Sequence, residues 1–168
     1  MDIIIGNVCS LLAMLANAFS STRKTSKGML HVQNVAQLIY FTCAMVLKGY
    51  SAGVQNLIGI FRNFVAIRGI KNKILEWSLV IAGVVLGIAV NNRGFVGLLP
   101  VLANLEYTLV VFRFNNNDRA LKIAFFISSL CYIIFNTAIM NYVGTVMDTI
   151  VLITTGIALF RRQPVEKA

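Results

Sequence analysis

Long apolar runs alternate with short polar breaks along the whole chain. The runs cover residues 3–19, 29–47, 50–67, 75–90, 95–112, 121–139 and 142–160. They are continuous and lack the ten-residue alternation of outer-membrane strands, so the pattern predicts seven helices and an all-α fold. Ser20-Ser21-Thr22, Asn91-Asn92-Arg93-Gly94 and Asn115-Asn116-Asn117-Asp118 read as turns. Lys48-Gly49 and Met140-Asn141 are so short that runs 2–3 and 6–7 are expected to form helical hairpins.

Polar residues inside the runs differ from run to run. The fourth is clean between Leu79 and Ala89 and carries Gly83 and Gly87 at small-xxx-small spacing. That spacing predicts a packing linker, or a contact between protomers in a homo-oligomer. The other six carry polar groups at helical spacing. Examples are Gln33, Asn34 and Gln37 in the second, Gln55, Asn56, Arg62 and Asn63 in the third, and Ser128, Ser129, Tyr132 and Asn136 in the sixth. Such groups either hydrogen-bond between helices or line a polar path, because an unpaired polar group in hydrocarbon costs several kcal/mol.

A shift of 92 positions brings the loops, hairpins and tyrosines of the two halves into register. It aligns Tyr40 with Tyr132, Tyr50 with Tyr142, Asn56 with Asp148 and Lys27 with Arg119. Runs 1–3 then correspond to runs 5–7, and run 4 restores the orientation between them. The expected architecture is two parallel three-helix bundles joined by a linker helix, 3+1+3. Its parts are residues 1–70, 71–94 and 95–162, followed by a tail at 163–168.

Composition makes lipid the expected solvent. The chain of 168 residues is 58% hydrophobic and only 12% charged, with mean hydropathy +0.78. Soluble domains carry about 25% charged residues. Twelve of the fifteen Lys and Arg residues occupy every second gap and the tail: Arg23, Lys24 and Lys27; Arg68, Lys71 and Lys73; Arg113, Arg119 and Lys122; Arg161, Arg162 and Lys167. Cationic loops stay cytoplasmic, so the alternation predicts seven crossings with the N-terminus outside and the C-terminus inside. Asp2, with the basic cluster only after the first run, predicts a retained first helix and no cleaved leader. The net charge of +9 is dispersed around apolar runs, which speaks against nucleic acid. Cys9, Cys43 and Cys131 are isolated in apolar sequence and read as packing residues, and the single His31 offers no metal spacing.

Arg62 is the one basic residue the alternation leaves unexplained. At 1.5 Å per residue it lies about 18 Å below Tyr50, and Glu106 lies about 17 Å below Phe95. The shared depth suggests that Arg62 pairs with Glu106, the rival being an Arg62 that snorkels to the cytoplasmic interface. Asp148, aligned with Asn56, is the place where the repeat exchanges a neutral for an ionisable group. It reads as a substrate- or proton-binding group, or as a structural one bonded to Asn56 or Asn136.

The stretch from Gly49 through Ala52, Gly53, Gln55 and Asn56 to Arg62-Asn63 resembles the central motif of the YgjV-type family of bacterial inner-membrane proteins. Gly97-Leu98-Leu99-Pro100 and the segment from Ser128 through Asn136 and Gly144 to Arg161 are similar to further elements of that family. The resemblance implies a multi-pass protein of the inner membrane and carries no activity with it. More distantly, the 3+1+3 pattern resembles the SWEET, PQ-loop and PnuC-type group of small-solute transporters.

No catalytic motif or cofactor signature is present, so no enzyme activity and no cofactor are expected. The leading expectation is facilitated passage of a small polar solute by alternating access of the two bundles, within the lipid bilayer. Asn56, Arg62, Asn104, Glu106, Tyr132 and Asp148 would line the substrate pocket. The alternative is a non-transporting receptor or accessory membrane protein, with a membrane-embedded enzyme third.

Overall fold

The computed structural model describes residues 1–20, 26–70, 72–114 and 118–160. Of the expected features, Arg23, Lys24, Lys71, Arg161, Arg162 and Lys167, the turns at 21–22 and 115–117 and the tail at 163–168 lie outside the described residues. The described residues form seven α-helices and no strand: α1 (Asp2–Ser20), α2 (Ser26–Val46), α3 (Tyr50–Ile67), α4 (Lys73–Ala89), α5 (Leu99–Phe114), α6 (Asp118–Ala138) and α7 (Tyr142–Phe160). A single 3-10 turn at Val96–Leu98 leads into α5. Helix α4 is started by Asn72, whose side chain accepts from the backbone N–H of Ile74 at 2.9 Å and of Leu75 at 3.4 Å.

Helix α2 packs on α1 and α3, α6 packs on α5 and α7, and α4 touches α3 and α5. Contacts between α1 and α7 and between α3 and α5 join the two groups. Gly83 and Gly87 are buried on the inner face of α4. A Cβ at Gly87 would meet Gln55 Nε2 at 2.5 Å and Val101 Cγ2 at 2.7 Å. The small-residue stripe thus packs within the chain, against α3 and α5.

Among the described residues, no helix is at once long enough and apolar enough to cross a membrane. This corrects the expectation that each run is a clear span by itself. Helices α4 and α5 have 17 and 16 residues, whereas a 30 Å hydrocarbon core takes about 20 residues. In α3, Gln55, Asn56, Arg62 and Asn63 dilute an 18-residue helix, and α6 opens on Asp118 and Arg119.

The two hairpin turns are alike bond for bond. In the first, the N–H of Gly49 bonds the carbonyl of Ala44 at 2.8 Å and that of Lys48 bonds Met45 at 3.2 Å, with Lys48 left-handed at φ 55°. In the second, Asn141 bonds Asn136 at 2.9 Å and Met140 bonds Thr137 at 3.2 Å, with Met140 at φ 61°. This is the Schellman helix ending, which ordinarily places glycine at the left-handed position. Beneath the turns, Cys43, Ala44, Leu47, Ala52, Phe135 and Ile139 form a buried apolar cluster.

Two outcomes test this architecture by thermal unfolding in detergent. Gly87→Ala is expected to lower stability by about 1–3 kcal/mol, because the added methyl forces α4 away from Gln55 and Val101. Met140→Gly is expected to raise it by up to about 1 kcal/mol, since glycine relieves the left-handed strain at the cost of some unfolded-state entropy.

Candidate functional site

Arg62 lies on α3 facing α5. Its Nη1 donates to Asn104 Oδ1 at 3.4 Å and to Thr108 Oγ1 at 3.3 Å. Its guanidinium carbon stands 5.7 Å from the centre of the Tyr107 ring, in the range of a cation–π contact. Asn104 Nδ2 in turn donates to Gln55 Oε1 at 2.7 Å, and Gln55 Nε2 donates to the Gly83 carbonyl at 2.8 Å. One continuous set of hydrogen bonds thus ties α3, α4 and α5 together. A cavity of about 10 Å³ sits among Gln55, Arg62, Gly83 and Asn104, at the lower limit of space for a single water.

The expected pairing of Arg62 with Glu106 is replaced by these contacts. Asn104 and Thr108 are one turn apart and share the face of α5 that meets α3. Glu106, two residues from each, projects about 200° away. It turns toward α6, where Ser128 Oγ donates to its Oε2 at 3.4 Å and to the Ala103 carbonyl at 3.1 Å. Snorkelling also gives way, because Arg62 bonds inward to α5.

Asp148 stands in a second network. Its Oδ2 accepts from Asn136 Nδ2 at 2.7 Å, the Asn136 Oδ1 accepts from Asn141 Nδ2 at 3.0 Å, and Asn141 Oδ1 accepts the N–H of Gly144 at 3.1 Å. The chain of bonds runs from mid-helix up to the α6–α7 turn. Of the two neutral partners considered for Asp148, Asn136 is the one it bonds. Asn56 is partly buried on α3 and, among the described residues, joins neither network. Tyr132 is partly buried on α6 and lies within Coulombic range of both Arg62 and Asp148. Of the six expected residues, Arg62 and Asn104 are bonded to each other, Asp148 belongs to a separate hydrogen-bonded network, Tyr132 lies within range of both Arg62 and Asp148, and Glu106 turns toward Ser128.

Gln55, Tyr107 and Thr108 were missing from the expected site. Thr108 carried a usable signal, since it repeats Asn104 at i+4. Among the described residues, four buried polar atoms have no hydrogen-bond partner: Asn34 Oδ1, Gln37 Oε1, Ser51 Oγ and Asn63 Nδ2. Asn34 and Gln37 belong to α2, and Asn63 neighbours Arg62 on α3. Among the described residues, no group of three or more His, Cys, Asp or Glu side chains is gathered to hold a metal ion.

The Imp-YgjV family, described as a bacterial inner membrane protein, matches residues 4–165. Neither a curated protein nor a solved structure matches the chain, so the likeness to SWEET and PQ-loop transporters remains one of pattern.

A double-mutant cycle distinguishes the two partners considered for Arg62. Arg62→Ala combined with Asn104→Ala is expected to show a coupling of about 0.5–3 kcal/mol in unfolding free energy. Arg62→Ala combined with Glu106→Ala is expected to be additive within about 0.5 kcal/mol.

Proposed function

The chain belongs to the Imp-YgjV family of bacterial inner membrane proteins, and from that premise we propose that it crosses the membrane as a multi-pass bundle and passes a small polar solute. The observation that carries this reading is an inverted distribution of polarity. Large apolar side chains point outward on every helix, Ile4 at 71%, Phe61 at 59%, Ile81 at 58% and Val146 at 59% exposure among them. Gln55, Asn63, Thr108, Ser128, Asn136 and Asn141 are buried. Water as solvent would penalise such a surface, and lipid favours it.

In a bundle, a short or polar helix is accommodated where its polar face meets other helices and its apolar face meets lipid. The alternating basic gaps favour an outer face at the Lys48 and Met140 turns and an inner face at Arg68, Lys73 and Arg119. The identical bonding of the two turns at a 92-residue offset supports two related halves, residues 1–70 and 95–162, with α4 between them. Alternating access would proceed by rocking one half against the other across the α1–α7 and α3–α5 contacts.

Arg62 is the group proposed to meet the solute, with Asn104, Tyr132 and Asp148 around it and the unpartnered atoms of Asn34, Gln37 and Asn63 toward the inner face. An unsatisfied buried polar atom is costly, and a wet or substrate-bearing path is one way to satisfy it. A non-transporting receptor is the second reading. It is favoured by the tight packing at Arg62, where only about 10 Å³ of free space remains.

Reconstitution in proteoliposomes decides between them. Solute passage requires flux of a labelled polar metabolite above that of empty vesicles. Arg62→Ala is expected to cut that flux by at least about tenfold, matching the loss of one charge-assisted contact. Ligand-induced thermal stabilisation without flux would favour the receptor instead.

A further inference from the structure

At the end of the bundle that carries both hairpin turns lies a second cavity, of about 200 Å³. It is walled by the α2–α3 turn, the α6–α7 turn, the first residues of α1 and the loop before α5. Leu47 and Ile139, both part of the buried apolar cluster, also line it. That cluster lies beneath it, and the Arg62 network is deeper: Gln55 is about 8 Å and Arg62 about 18 Å along α3 from Tyr50.

Three charged residues line the cavity: Asp2, Lys48 and Arg93. They belong to different walls. Lys48 stands on the α2–α3 turn, and Arg93 is bonded to that same turn through Nε to the Lys48 carbonyl at 3.1 Å and Nη2 to the Leu47 carbonyl at 3.0 Å. These two bonds use one edge of the guanidinium and leave Nη1 to donate elsewhere. Asp2 begins α1, whose Asn7 is bonded to the α6–α7 turn through the Met140 carbonyl at 2.9 Å and the Val143 N–H at 2.9 Å. The equivalent of Lys48 on that second turn is the neutral Met140. Positive charge is thus concentrated on one turn, and the acidic group comes from the helix clamped to the other.

We propose that this vestibule binds a small zwitterionic solute, with the carboxylate held by Lys48 and Arg93 and the ammonium by Asp2. A plain anion would meet the Asp2 carboxylate and a plain amine would meet two cations. A molecule carrying both charges answers all three groups. At about 200 Å³ the open cavity has ample room for a small amino acid. The proposal rests on the solute reading for its biological meaning, since it supplies the solute class, but it is tested by binding alone.

The test is equilibrium binding to the purified full chain in detergent, with radiolabelled alanine as the probe and acetate, ethylamine and succinate as competitors. Alanine is expected to bind saturably and to be displaced by glycine, with acetate and ethylamine each at least about tenfold weaker. Lys48→Gln and Asp2→Asn are each expected to weaken alanine by about tenfold or more, and neither replaces a bond within the fold. Displacement by acetate as effective as by glycine, with Asp2→Asn silent, would overturn the proposal in favour of a simple anion site. Saturable binding lost only in Arg62→Ala would overturn it too, while leaving the solute reading intact. Binding that follows the expected pattern in a protein that shows no flux would sustain this site and remove solute passage. No saturable binding of alanine or glycine refutes the proposal.

Discussion

Two left-handed turns expose backbone carbonyls at one end of the bundle, and the rest of the structure is arranged to answer them. A helix that ends in so tight a turn leaves its last carbonyls without intrahelical partners, and in a nonaqueous surrounding each one is costly. The partners come from the opposite half of the chain. Asn92 and Arg93, which precede α5, donate to the Leu47 and Lys48 carbonyls at 2.9–3.1 Å. Asn7 of α1 donates to the Met140 carbonyl and accepts from Val143. The segment before α5 therefore fastens the α2–α3 hairpin, and α1 fastens the α6–α7 hairpin. Phe135, which contacts the position of Gly49 so closely that a Cβ there would approach its ring to 2.9 Å, seals the space between the turns.

This fastening goes with an interior rich in small and polar residues. Once both ends of a hairpin are fixed, adjacent helices approach closely, and glycine or alanine is needed where they cross. Gly6 meets Leu47, Gly59 meets Gln37, and Gly87 meets Gln55. Many large apolar side chains turn outward, whereas Leu47, Phe135 and Ile139 fill the space beneath the turns. Interior polar groups are then far from bulk water and must find each other, as Gln55, Asn104 and Arg62 do. The Gln55 amide is central here, because it donates to the α4 backbone and accepts from α5 at the same time. Cys43 plays a comparable part between α1 and α2, bonded to Ser10 at 2.8 Å and to the Gly6 carbonyl at 3.3 Å.

Much of the fold was legible because helix limits in this chain coincide with abrupt changes in composition. The residues 50–67 and 142–160 are bounded by a two- or three-residue turn on one side, and the expected and observed helices have the same limits. The fifth run began too early, at Phe95, because Gly97 and Pro100 impose a 3-10 turn that hydropathy does not register. The site was less legible. Charge alternation singled out Arg62, which is partly buried and bonded to α5, but depth alone chose Glu106 as its partner. Depth locates a residue along a helix axis and says nothing of its azimuth. The i, i+4 pair Asn104 and Thr108 held the azimuthal information. Gln55 stood out as a polar group of the third run but not as part of the site, because its role depends on the α4 backbone, which no side-chain pattern reports.

The two halves match in their turns but differ in what lies beneath them, and the difference bears on where a bound group would be felt. In the second half, Asp148, Asn136, Asn141 and Gly144 form a hydrogen-bonded line from mid-helix to the turn. The positions 92 residues earlier are Asn56, Ala44, Gly49 and Ala52, of which Ala44 and Ala52 belong to the apolar cluster. The first turn is therefore held from outside the helix pair, by Arg93, and the second is held additionally from within. A group that took the Asp148 carboxylate would compete with Asn136, and an Asn136 released from Asp148 would loosen its hold on Asn141 at the turn. A group in the vestibule would act on the first turn instead, through the remaining donor of Arg93. If the halves rock, their two hairpins are thus sensitive to different sites: the α6–α7 hairpin to the interior and the α2–α3 hairpin to the vestibule. Such a division rests on the difference between Asp148, which is bonded through Asn136 to its turn, and Asn56, 92 positions earlier, which is not.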